Sequence, residues 1–390
     1  MASLVTLVVA GGASLFMAWA IGAGSSGSTP FAPAVGANAI SVMRAGFIVG
    51  ILGLAGAALQ GANVSEAVGG ELIRNVTLSP TAAVIGLTTA AILVALGVFA
   101  GYPIATAFTV TGAVVGVGLA LGGDPAWAKY RQIAALWIAT PFLGGGIAYG
   151  TARLLRSESV AERLAIPALA GVVGVILANV EFVFLGPTGE QASAVAAVAT
   201  AADLPLLTAR VGVSLAAAAL AALALWWDIR ANGERGQQHF LLVLGGLVAF
   251  SAGGSQVGLA IGPLLPLVDP YDIPMIAVLV GGGIGLLIGS WTGAPRMIKA
   301  LAQDYSSLGP RRSIAALIPS FAIAQTAVFF GIPVSFNEII VSAIVGSGFA
   351  AGQSAVSREK MGKTVLAWVA SLAIALGVSY ALFSAVDAVL

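Results

Sequence analysis

Between Ala20 and Ser41 the chain reads AIGAGSSGSTPFAPAVGANAIS, and four hydroxyls, Ser25, Ser26, Ser28 and Thr29, fall within five residues of it. A hydroxyl can both donate and accept a hydrogen bond, and glycines beside it let backbone N–H groups approach a small ligand closely. Such a set can cradle a small oxyanion. Nucleophilic catalysis would need a base beside it, and the chain offers little to serve as one. There is no cysteine and a single histidine, His239, so thiolate metal sites, disulfides and histidine-based triads are excluded or improbable. No nucleotide-binding loop is present. A weaker copy of the cluster stands at Ser255 and Gln256. The apolar run PVSFNEII adds Ser335, Asn337 and Glu338, and Thr106 takes the place of Phe336 in a similar run from Pro103.

The elements that must position these groups are membrane helices. Of 390 residues, 59% are hydrophobic and 8% charged, with mean hydropathy +1.01, against roughly 25% charged in soluble domains. The apolar runs are long and lack strand-type alternation, which predicts helices rather than a barrel. A multi-pass protein of the cell membrane is expected. A net charge of +1 suggests no nucleic-acid partner. The first run has no basic residues before it and reads as a retained helix rather than a cleaved signal. Spans are predicted near 3–22, 41–60, 80–100, 132–155, 163–185, 206–227, 238–252, 273–292, 313–331 and 364–386. Between them 25–40, 103–121, 254–268 and 333–352 read as broken segments. Arg153, Arg156 and Arg163, then Arg230 and Arg235, then Arg296, Lys299, Arg311 and Arg312 cluster in three connections, which the positive-inside rule places in the cytoplasm.

The chain also repeats itself. FMAWAIGAGSSG around Ser26 matches LVAFSAGGSQVG around Gln256, the run from Pro103 matches that from Pro333, and TLSP ending at Pro80 matches SLGP ending at Pro310, each at an offset of 230. Trp137 and Trp368 match at 231. This predicts a first repeat over 1–160, connecting helices over 161–235 and a second repeat over 236–390. The 61–79 connection carries Glu66 and Glu71, whereas its equivalent at 291–309 is the most basic region. Opposite charge character favours inverted topology. The expected fold is thus an all-α polytopic membrane protein of two inverted repeats, with broken helices or re-entrant hairpins forming a central site. Irregular backbone survives at membrane depth only when buried or lining a polar cavity, and helix ends there attract anions. Gly36, Gly112, Gly116 and Gly262 read as packing positions.

These segments resemble the inorganic phosphate transporter (PiT) family of permeases, whose halves each carry a signature like GANDVAN. Ala23 to Thr29 fall on the first signature and Gly253 to Leu259 on the second. PIATAFTVTGAVVG and PVSFNEIIVSAIVG look like the family's PISTTHALVGAIVG, and ALQGANVSEAVGGELI and YRQIAALWIATPFLGGGIAY like further family segments. The resemblance implies the fold, cation-coupled phosphate transport without an enzyme activity, and a homodimer. Here the signature aspartate is replaced by Ser26 and Gln256, its first asparagine by Ser25 and Ser255, and the histidine of the second element by Phe108 and Glu338. A carboxylate can accept the hydrogen bond of a protonated phosphate but repels sulfate, so its loss favours a fully ionised oxyanion. The expectation is a secondary transporter for a tetrahedral oxyanion, resembling the sulfate permease branch. A cation-coupled phosphate symporter and, from another class, an anion channel are the alternatives. Substrate-binding residues are expected to be Ser25, Ser26, Ser28, Thr29, Thr106, Ser255, Gln256, Ser335 and Asn337. Glu338 is the candidate for proton coupling. No metal site or cofactor is expected beyond a coupling H+ or Na+. Glu181 is placed near an interface, Trp226 and Trp227 in an interfacial belt, His239 in solvent, and Glu66 and Glu71 in a water-facing loop.

Overall fold

The computed structural model describes residues 4–158, 160–187, 191–352 and 356–389. Its helices are α1 (Leu4–Ile21), α2 (Ala32–Gly36), α3 (Val42–Gln60), α4 (Ala62–Gly70), α5 (Pro80–Ala100), α6 (Thr106–Ala120), α7 (Trp127–Arg156), α8 (Glu162–Asn179), α9 (Ala194–Ala201) and α10 (Leu206–Asn232). They continue with α11 (Glu234–Ile261), α12 (Leu265–Val268), α13 (Met275–Thr292), α14 (Ala294–Gln303), α15 (Pro310–Phe329), α16 (Phe336–Phe349) and α17 (Arg358–Asp387). Ten are long and apolar enough to cross a membrane, and they match the ten expected spans. Local chemistry sets several of their ends. Ser79 Oγ accepts the Ala82 N–H at 3.2 Å and Pro80 opens α5, while Gly101, at φ +74°, closes it.

The repeat appears as an exchange of partners. The α1 helix packs on α13 and α11 on α3; α6 packs on α17 and α16 on α7. Trp137 of α7 donates to the Pro333 carbonyl at 2.8 Å, and its counterpart Trp368 of α17 donates to the Pro103 carbonyl at 2.8 Å. Reciprocal contacts of this kind mark a pseudo-two-fold relation. Glycines bring the exchanged helices together. A side chain at Gly253 would overlap the Gly53 backbone, one at Gly346 the Gly145 backbone, and one at Gly112 would lie 2.5 Å from the Leu372 carbonyl. Gly36, Gly116 and Gly262 are equally hemmed in, so all four glycines read as packing positions do pack.

The two hairpins are tied at opposite ends of α7. Helices α5 and α6 form a hairpin whose base is tied by β1 (Ile73–Arg74) pairing with β2 (Asp124–Pro125) and by the Lys129–Glu71 ion pair at 2.6 Å. Helices α15 and α16 form the equivalent hairpin. Its base is tied by the Ser306–Val356 bridge and by Arg156 donating to the Ala350 carbonyl at 2.7 Å. The α7 helix runs from the first base to the second. Its 30 residues span about 45 Å, more than a bilayer's hydrocarbon core. The hairpins therefore enter from opposite ends, and their tips meet where Asn337 Nδ2 donates to the Ile104 carbonyl at 2.6 Å.

Two expectations need correction. Segment 254–268 is not broken through its length: α11 continues unbroken to Ile261 before a short 3-10 turn. In the first half the backbone widens into a π-type turn over Gly22–Ser26 and then leaves the helix. Pro30 stands where the second half has Ala260, and a proline removes the N–H that a continuing helix needs. Glu66 lies on α4 rather than in a loop, with its side chain exposed as expected. Glu71 is exposed in the connection that follows. His239 is exposed and paired with Asp228 at 2.8 Å.

Candidate functional site

The unwound turn of the first half, the unbroken α11 of the second, and both hairpin tips converge on one buried network. Gln256 is its centre. Its Oε1 accepts hydrogen bonds from Ser25 Oγ at 3.1 Å and Thr106 Oγ1 at 2.7 Å, and its Nε2 donates to the Val334 carbonyl at 2.5 Å. Asn337 Nδ2 reaches both the Gly24 carbonyl, at 2.9 Å, and Ile104. These carbonyls belong to irregular backbone and have no helical N–H to answer them, so the amide side chains replace the missing ladder. Ser25, Thr106, Gln256 and Asn337 are all fully buried.

Beside this network stand buried polar atoms with no partner: Ser26 Oγ, Ser255 Oγ, Ser335 Oγ and Asn337 Oδ1. Each belongs to the network or is one residue removed from it. Buried polar atoms are nearly always satisfied, and leaving one unmade costs about 1–3 kcal/mol. Four together point to a ligand position. Helices α6 and α16 also begin here, at Thr106 and Phe336, and neither has a side-chain cap on its first N–H groups. Their positive ends add to the donors available for an anion.

Two of the expected binding hydroxyls have other duties. Ser28 Oγ and Thr29 Oγ1 both donate to the Ser25 carbonyl, at 3.2 and 3.0 Å. They close the turn and do not extend the free donor set. Glu338 stands apart from the hydroxyl network. Its Oε2 has no partner, and it lines a cavity of about 800 Å³ shared with Phe108, Trp137 and Trp368. Phe108, its first-half counterpart, stacks on Trp137 with ring centroids 3.8 Å apart.

Sequence reading missed a second polar cluster. Gln60 and Gln325 bond to each other, at 3.2 Å from Gln325 Nε2, and Gln325 Nε2 also donates to Ser251 Oγ at 2.6 Å. Gln60 Nε2 reaches the Glu181 carbonyl at 2.7 Å. This cluster floors a cavity of about 440 Å³ rimmed by Asn63, Asn179 and Glu181, and Ser251 lies one helical turn before Ser255 on α11. Burial pushes the Glu181 carboxyl above the usual carboxylate range. Among the described residues no group of acidic or histidine side chains is arranged to hold a metal ion.

A family model described as the phosphate transporter family matches residues 7–379. The chain is 24% identical to a Thermococcus kodakarensis protein named as a candidate phosphate permease, over 97% of this chain and 96% of that one. It is 25% identical to the chloroplastic inorganic phosphate transporter 2-1 of Arabidopsis thaliana, over 92% of this chain and 68% of that one. A solved structure described as the sodium-dependent phosphate transporter superposes with a TM-score of 0.82 at 22% identity, covering 99% of this chain and 100% of its own.

Proposed function

The chain belongs to the phosphate transporter family, and from that premise we propose that it carries inorganic phosphate across the membrane, with a cation, by alternating exposure of the site between the two halves. The observation that carries the reading is the set of unpartnered atoms at Ser26, Ser255, Ser335 and Asn337, on residues in or next to the network where two uncapped helices begin. Ser25, Thr106 and Gln256 hold that set in place. The expectation of sulfate is set aside, because the relatives compared are named for phosphate. There is also a physical reason. The argument for sulfate held that no acceptor remained for the phosphate hydroxyl, yet Asn337 Oδ1 is such an acceptor, neutral and unoccupied by any hydrogen bond.

Cation coupling follows from charge. No lysine, arginine or histidine belongs to the network, and a buried anion without a counter-charge is costly. A co-transported Na+ or H+ supplies it. Glu338 is the residue a proton-coupled cycle would use, since it is a buried carboxyl that directly follows Asn337 in the chain. The burial of the network favours a carrier over a channel. The family resemblance extends the proposal to a homodimer, which cross-linking in membranes tests.

The deciding experiment is uptake of radiolabelled phosphate and sulfate into proteoliposomes, each with the other as competitor, with and without imposed Na+ or H+ gradients. Concentrative phosphate uptake that excess sulfate leaves intact is expected. Sulfate uptake indifferent to phosphate would restore the rejected substrate, and flux that never exceeds equilibration would mean a channel.

A further inference from the structure

We propose that a second anion site lies at the surface where the second hairpin's base meets α7, α8 and α11, and that Arg156 and Arg312 hold a phosphate-type group there. The site is separate from the central network and rests on different residues. A cavity of about 610 Å³ is lined by Arg156, Glu162, Glu234, Arg311 and Arg312. Arg311 is already neutralised: its Nε donates to Glu162 Oε1 at 2.8 Å, and its Nη2 to Glu162 Oε2. Gln237 adds a third hydrogen bond to that carboxylate, at 3.2 Å.

Arg156 and Arg312 are not neutralised. Among the described residues their partners are uncharged, the Ala350 carbonyl for Arg156 and Ser307 Oγ, at 3.2 Å, for Arg312. The two guanidinium groups face the same cavity within Coulomb reach of each other. Like charges so placed repel unless an anion lies between them. Each of these hydrogen bonds uses one Nη1, which leaves the other N–H groups of each fork for a ligand. Guanidinium forks match the spacing of phosphate oxygens. Gly309 caps α15 without a side-chain acceptor, so the first N–H groups of that helix add to the same field. Glu234 is exposed, lines the cavity without an ion pair among the described residues, and opposes binding. The recognised chemistry is a phosphate group with at least two free oxygens. It could come from free inorganic phosphate or from the headgroup of an anionic lipid at this membrane surface.

The full chain in lipid nanodiscs separates the sources. In purely zwitterionic discs, equilibrium dialysis with radiolabelled phosphate is expected to show a second bound equivalent in wild type that R156Q/R312Q lacks, if free phosphate is the ligand. If the ligand is a lipid, discs doped with phosphatidylglycerol are expected to retain that lipid on wild type by native mass spectrometry and to lose it in R156Q/R312Q. Wild type and variant behaving alike in both arms would overturn the proposal. Because Arg156 also ties the end of α16, R156K/R312K serves as the second variant. It keeps both charges but loses the forks, and about tenfold weaker binding is expected; unchanged affinity would refute the role of the forks. E234Q is expected to tighten binding, and a decrease would count against the site. Q256L removes the central equivalent alone, so failure of the central reading shows separately.

Discussion

Replacing Asn337 tests whether the hairpin tips depend on amides borrowed from the other half. Its Nδ2 holds two carbonyls, Gly24 at 2.9 Å and Ile104 at 2.6 Å, and the side chain is fully buried. Asn337→Ala leaves both acceptors without a donor. Each orphaned carbonyl costs about 1–3 kcal/mol, so the loss is about 2–6 kcal/mol, less whatever water entering the vacated space restores. Asn337→Asp is nearly isosteric and instead turns an oxygen toward the two carbonyls, so no hydrogen bond survives unless the acid is protonated. Both variants are expected to unfold at lower temperature in detergent. In phosphate uptake, a share of 1.4 kcal/mol falling on the transport-competent state alone would weaken apparent affinity about tenfold. Asn337→Gln, which keeps the amide, is expected to recover part of the loss. Wild-type stability and uptake in both the alanine and aspartate variants would refute the reasoning, because the tips would then be held by something other than this amide.

Three further outcomes are expected. Glu338→Gln should abolish stimulation of uptake by a proton gradient while leaving Na+-driven uptake in place; unchanged proton stimulation in proteoliposomes would remove Glu338 from coupling. The Glu181 carboxyl lies outside the spans and is raised by burial, so it favours the folded state most when protonated. That contribution is present below the ordinary carboxylate range and is lost as pH rises through that range and above it. Glu181→Gln should flatten this small pH dependence of thermal stability, and an unaltered profile would count against it. Gly253→Val should prevent α11 from packing on α3, because the added side chain would overlap the Gly53 backbone. Loss of monodisperse protein in size-exclusion chromatography is the readout.

Hydropathy made the spans legible, since a bilayer demands about 20 apolar residues whatever their packing. The 230-residue offset likewise pointed to a duplication, and the Trp137 and Trp368 bonds follow the same pairing. The opposite directions of the hairpins were inferred from loop charge and are carried in the structure by α7, whose ends reach the two bases. What the sequence could not show was how far each copy had drifted. GSSGST and GSQVGL look alike as signatures, yet Pro30 unwinds one and Ala260 lets the other remain helical. Hydroxyl counting could not show that Ser28 and Thr29 each donate to the Ser25 carbonyl, a bond a serine or threonine readily makes three or four residues back. The tryptophan bonds were hidden for the opposite reason. Trp137 and Trp368 satisfy carbonyls 196 and 265 residues away, and no local pattern announces such a partner. The glutamine pair Gln60 and Gln325 was invisible on the same grounds.

The unequal copies have a consequence for how the molecule rests. On the proposed alternating mechanism, identical halves would make the state open to one side the rotated equivalent of the state open to the other, and the two would be equally populated. Here a kinked segment corresponds to a straight one, Thr106 to Phe336, and Ser26 to Gln256. That equivalence is broken, so on the same proposal the two states of the empty protein differ in energy and one is preferred. A difference of only 1.4 kcal/mol would turn about ten molecules one way for each turned the other. Divergence between two matching halves would thereby set a direction of readiness, with no residue dedicated to the task.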